Sequence, residues 1–143
     1  LVLHTGFLKK TGSNYFIKTV FNFDQILSDR DLPEFGKIYF GGAESLRGFR
    51  EDFFVSDIFL YQSAELFYVP DSKDLAFSLF FDNGLFNMKR TNIEKFTDLH
   101  SEQSYGGGMS VIFGSGEIAV TAGIPARYGI ADGMVHIRYS VRF

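Results

Sequence analysis

The chain has 143 residues, with eighteen Phe and seven Tyr, three Pro, no Cys and no Trp, a net charge of −3 and an isoelectric point near 5.6. Zero Cys excludes a disulfide scaffold and a thiolate metal site. Scattered basic residues leave no electrostatic footprint for nucleic acid, and no run approaches the roughly 18 apolar residues that a membrane helix needs.

What remains is a composition rich in β-formers and poor in strand breakers, and period-two alternation sets the elements. Residues 1–9 make a first, weakly patterned strand. Because the chain begins mid-pattern, without an initiator Met or signal peptide, it is expected to be a segment of a longer polypeptide. Across 15–24, Tyr15, Ile17, Thr19, Phe21 and Phe23 oppose Lys18, Asn22 and Asp24. Across 57–68, Ile58, Leu60, Ala64, Leu66 and Tyr68 oppose Asp57, Tyr61, Ser63 and Glu65, while Phe59, Gln62 and Phe67 blur the contrast.

In 75–85 the large apolar set is Leu75, Phe77, Leu79, Phe81 and Leu85, against Ala76, Ser78, Asp82 and Gly84, with Phe80 the exception. Tyr105, Met109, Val111 and Phe113 oppose Gly106, Gly108 and Ser110. Next, Ile118, Val120, Ala122 and Ile124 oppose Glu117, Ala119, Thr121 and Gly123. In the last ten residues Val135, Ile137, Tyr139, Val141 and Phe143 share one face, and His136, Arg138, Ser140 and Arg142 the other. A helix would mix these sets. The result is seven strands, each about long enough to cross a bilayer at barrel tilt, which takes roughly 9 to 11 residues.

Connection lengths separate a membrane barrel from a soluble sandwich, because outer-membrane barrels alternate short periplasmic turns with long external loops. Here 10–14 is short, 25–52 long, 71–74 short, 87–103 long, 114–116 short and 126–133 intermediate. That order leaves the C-terminus on the periplasmic side. The second face carries Gly, Ala and Ser beside isolated charges, which suits a wet barrel interior. The expected fold is therefore an all-β antiparallel transmembrane barrel. Seven strands cannot close it without bare edges, so further strands are expected before Leu1.

The long loop holds a Gly41-Gly42 hinge and the run Leu46-Arg47-Gly48-Phe49. A loop arginine beside permissive glycines is ordinarily a solvated turn. The next two strands argue for more. Glu65 and Asp82 share the small, polar face on either side of the turn at 71–74, within about 5 to 8 Å of each other at Cβ. Two lumen carboxylates that close are costly unless a cation sits between them. An Arg fork bridges both, where Lys cannot with comparable geometry.

Leu46-Arg47-Gly48-Phe49 after Gly41-Gly42 resembles the [V/I/L]-R-G-[F/Y] loop motif of the superfamily that holds BamA, TamA and the two-partner-secretion transporters, also called the bacterial surface antigen family. Phe80-Phe-Asp-Asn-Gly84 resembles its F-x-D-x-G strand motif, and the strand from Ala64 through Glu65 to Pro70 is similar to its Glu-containing strand ending at a Pro turn. The resemblance implies a sixteen-stranded barrel, of which 1–143 is the C-terminal part, preceded by periplasmic POTRA domains. It implies that Arg47 docks the loop inside the lumen, that Glu65 and Asp82 accept it, and that Phe80 and Gly84 pack around it. The last strand, Val135, Ile137, Tyr139, Val141 and Phe143, resembles the β-signal read by assembly machinery through strand pairing. No Gly lies between Met134 and Phe143, so the kink found in some members' last strand is missing.

The three histidines, His4, His100 and His136, lack ligand spacing, Gly106-Gly-Gly108 is followed by no phosphate-loop Lys, and there is no G-x-S-x-G elbow. No enzyme, cofactor or metal is expected. The expected role is assembly of outer-membrane proteins or secretion of polypeptides across the bacterial outer membrane, with the bilayer and unfolded client proteins as partners. The alternative is a passive porin-like channel, or the barrel anchor of an upstream enzyme such as a patatin-like lipase.

Overall fold

A computed structural model describes residues 1–26, 33, 36–72, 74–87 and 99–141. Seven strands form one sheet: β1 (Val2–Lys10), β2 (Tyr15–Gln25), β5 (Ile58–Tyr68), β6 (Leu75–Asn87), β7 (Leu99–Phe113), β8 (Gly116–Pro125) and β9 (Met134–Val141). Their order is β1-β2-β5-β6-β7-β8-β9, antiparallel throughout. The sheet is open, with β1 and β9 at its edges. The expected all-β class and seven strands are thus what the chain forms.

Two boundaries differ from expectation. The long loop runs to Asp57 rather than to 52, and two stretches within it pair as a short hairpin of β3 (Ile38–Phe40) and β4 (Phe54–Ser56). Both three-residue stretches carry the β-branched and aromatic residues that favour extended pairing. The second long connection is shorter than expected. β6 continues to Asn87 and β7 starts at Leu99, so polar His100, Ser101, Glu102 and Gln103 lie in the ladder opposite Phe86, Leu85, Gly84 and Asn83. Polarity had suggested a loop there, but ladder pairing needs only backbone groups. A single 3-10 turn, Ile130–Asp132, interrupts the connection before β9.

Register decides which face each residue occupies. Ser63 lies opposite Asp82, Asp82 opposite Ser104, and Val120 opposite Ile137. One face therefore presents Leu79, Val135, Ile137 and Tyr139, each more than 60% exposed, as a broad apolar exterior. The other face carries the buried core. That core contains Phe40, Leu46, Phe49 and Phe54 from the loop, seated on Phe59, Tyr61 and Phe86 from the wall. Phe40 stacks on Phe59 at 3.8 Å between ring centroids and meets Phe86 edge-on at 4.9 Å. Phe59 and Phe80, which blurred the alternation in sequence, face inward by the strand period and are buried there because the loop covers them.

Candidate functional site

Two local features carry the loop back across the wall. Gly41, Gly42 and Gly48 adopt φ of 113°, 96° and 117°, a backbone region that residues with a Cβ rarely enter. The turn is tied internally: the Gly41 N–H donates to Ser45 Oγ at 2.8 Å, and the Gly42 N–H donates to the Leu46 carbonyl at 3.2 Å. Leu46, Arg47 and Phe49 are all buried as a result.

Arg47 spends its donors on the wall. Nε and Nη2 donate to the two oxygens of Asp82 at 2.9 and 2.8 Å, a bidentate fork. Nη1 donates to Glu65 Oε1 at 3.0 Å, and Nη2 also reaches Ser63 Oγ at 3.1 Å. The backbone N–H of Arg47 adds a further bond to Asp82 Oδ2 at 3.2 Å. The guanidinium carbon lies over the Phe80 ring, 3.6 Å from its centroid, where the ring's electron-rich face favours a cation.

Asp82 is fully buried and receives two more donors, Ser63 Oγ at 2.7 Å and Tyr61 Oη at 3.2 Å. Desolvation by itself disfavours a charged guanidinium. Hydrogen bonding and attraction from Asp82, with attraction from Glu65, outweigh it and hold the Arg47 pKa above its ordinary value.

Glu65 and Asp82 are diagonal neighbours across the β5–β6 pair, since Glu65 faces Phe80 and Asp82 faces Ser63. Each residue of the strand motif has its own loop partner. A Cβ on Gly84 would lie 2.7 Å from Leu46 Cδ1, Asp82 takes the Arg47 fork, and Phe80 supports it from beneath. On the other side, a Cβ on Gly123 of β8 would stand 2.6 Å from the Arg47 carbonyl carbon, and one on Gly48 would be 3.0 Å from Ser104 Cβ. The loop therefore lies backbone to backbone on β8, a contact that only glycine leaves room for.

Further contacts reach the last strand. Glu51 folds back to accept the Ala43 N–H at 2.7 Å and lies 3.5 Å from His136 Nδ1; Glu44 is 3.3 Å from Arg138 Nη1. Beside the clamp a cavity of about 390 Å³ is lined by Lys18, Glu65, Ser78, Thr121, His136 and Arg138 among others. Ser63 and Tyr61 were absent from the sequence reading of the site, although they share the inward face with Glu65 at period two. Gly123 and Ser104 carried no signal in the sequence, because their role exists only where the loop touches them.

Of the C-terminal set, Val135, Ile137, Tyr139 and Val141 point outward from β9, whose free edge has no partner strand among the described residues. Phe143 lies outside the described residues.

Comparison with known proteins adds one finding. No curated protein and no solved structure matches the chain, but the family model described as the Omp85 superfamily domain matches residues 3–141. Proteins of that superfamily are β-barrels of the bacterial outer membrane that insert or secrete other proteins and are not enzymes. With nearly its whole length inside the matched region, the chain belongs to the Omp85 superfamily.

Proposed function

We propose that this chain is the C-terminal part of a barrel that assembles outer-membrane proteins or secretes polypeptides, and that Arg47 locks the long loop in the lumen to hold the barrel in its working form. The observation that carries this reading is the grip of Asp82, Glu65 and Ser63 on one guanidinium, the most deeply buried charged group of the loop among the described residues. Such an arrangement is costly to build for a passive wall. Breaking a buried pair leaves an uncompensated charge worth about 3 to 5 kcal/mol. No nucleotide is needed: a client gains free energy by adding its strands to an exposed edge and by folding.

In this reading β9, with Val135, Ile137, Tyr139 and Val141, and with Phe143 closing the motif in the sequence, is the strand that the assembly machinery recognises. POTRA domains would lie before Leu1. The experiment is to place Arg47→Ala in the full-length protein and follow heat resistance of the barrel together with assembly or secretion of its clients. Loss of both supports the reading. Full client handling by an undocked loop would refute it and leave a channel or an anchor.

A further inference from the structure

The lumen side of β9 holds contacts that the Arg47 clamp does not use. β9 is thinly anchored: among the described residues it is bonded to β8 on one edge and to no strand on the other. None of its residues is buried, whereas β6 buries Phe80, Asp82, Gly84, Phe86 and Asn87. On its outer face Val135, Ile137 and Tyr139 are each more than 60% exposed. On its inner face His136 and Arg138 stand opposite Thr121 and Ala119, small residues that give them little to pack on. A strand with so few packed side chains belongs to the part of a fold that opens locally at low cost.

The docked loop supplies what β8 does not. Glu44 Oε1 lies 3.3 Å from Arg138 Nη1, and Glu51 Oε1 lies 3.5 Å from His136 Nδ1. His136 and Arg138 are two residues apart, so both project to the lumen side about 7 Å from each other. Each meets one carboxylate of the turn between β3 and β4. Glu51 is itself fixed, since it accepts the Ala43 N–H and fills the space over Gly42 where a side chain would begin.

Backbone contacts run the same way. A Cβ on Gly133, which leads into β9, would lie 2.9 Å from the Gly123 carbonyl oxygen, and Gly123 is the residue that receives the Arg47 backbone. The loop therefore spans from the centre of the wall, where Asp82 and Glu65 fix it, to the inner face of the last strand.

We propose that this is a brace: Glu44 and Glu51 are positioning residues that hold β9 from the lumen side, so that the docked loop sets how often the outer edge of β9 comes free. Its consequence for clients rests on the reading that their strands are added at an exposed edge; the brace itself does not.

The test is amide hydrogen exchange of the full-length barrel, read by mass spectrometry on peptides covering 134–141, with 75–87 as the internal control. Exchange follows the opening equilibrium of the segment, and a pair as exposed as Glu44 and Arg138 predicts about two- to fivefold faster exchange when it is broken. Glu44→Gln and Arg138→Gln should each show that rise in 134–141 and none in 75–87. Glu44→Gln with Glu51→Gln should show the largest. Arg138→Lys should stay at the wild-type rate, because an end-on pair needs a point charge and not a fork. Glu44→Arg combined with Arg138→Glu should restore slow exchange. Heat-modifiable gel migration reports folding separately, and should Arg138→Gln not fold, Glu44→Gln on the loop surface carries the same test. Unchanged exchange of 134–141 in the folded single variants, a rise shared equally by 75–87, or a charge swap that restores nothing would each overturn the brace. Client assembly or secretion in the same variants separates the brace from the reading beside it: faster exchange with unaltered client handling keeps the brace and removes the β9 edge from the proposed function.

Discussion

Leu46 occupies the space that a side chain on Gly84 would need: a Cβ there would sit 2.7 Å from Leu46 Cδ1 and 3.2 Å from Phe59 Cε2. The loop motif and the strand motif are thus two halves of one contact, with Leu46 over Gly84 and Arg47 over Asp82 and Phe80. Gly84→Ala should weaken docking by about 1 to 3 kcal/mol through overpacking. Because the clash is with the end of a side chain, Leu46→Ala in the same protein should recover part of that loss. The thermal midpoints of the two single variants and the double variant measure the coupling, and strictly additive losses would contradict it.

Gly123 makes the opposite case. Its missing Cβ faces the backbone of Arg47 and Gly48, which no rotamer change can move aside. Gly123→Ala should therefore displace the loop more than Gly84→Ala does, and Leu46→Ala should bring no recovery. Limited proteolysis of the loop in the full-length barrel is the readout.

Arg47→Ala should destabilise the barrel by about 3 to 5 kcal/mol, since it leaves the fully buried Asp82 without its cation. Arg47→Lys keeps a charge but not the fork, so it should recover only part of this. The two also differ with pH. A cation whose folded pKa is raised stabilises fully below its unfolded pKa and loses that contribution only as pH climbs through the folded value. Arg47 is raised, so its clamp should hold from neutrality up to about pH 12. A lysine there starts from about 10.4 and faces the same two carboxylates, so the gap between wild type and Arg47→Lys should widen as pH climbs past about 10, well before the arginine clamp is affected.

Ser63 both donates to Asp82 and accepts from Arg47. Ser63→Ala should cost about 1 to 2 kcal/mol while the loop stays docked, visible as a lower melting midpoint with unchanged proteolysis.

Glu51 tests whether every loop carboxylate matters. Its side chain is 62% exposed where it meets His136, and pairs in such a position contribute under about 1 kcal/mol. Glu51→Gln should therefore leave both stability and loop protection near wild type. A loss as large as that of Arg47→Ala would mean that the loop is held from β9 and not from the centre of the wall.

The sequence by itself determined the strands, because a sheet with one apolar face imposes a period of two that 3.6-residue helices cannot mimic, and the pattern is written in neighbouring residues such as Val135 to Val141. It also determined the residue types for a buried clamp, since Arg47, Glu65 and Asp82 are too costly to bury singly. The longer course of β6 and β7 escaped it because Glu102 and Gln103 pair through backbone atoms that carry no side-chain signature. Only the tertiary structure decided that the loop covers Phe59 and Phe86, that Gly84 makes room for Leu46, and that Gly123 receives the loop backbone. Each depends on a segment far away in the chain arriving at that point, and a contact made by folding over such a distance leaves no periodicity for a local pattern to reveal.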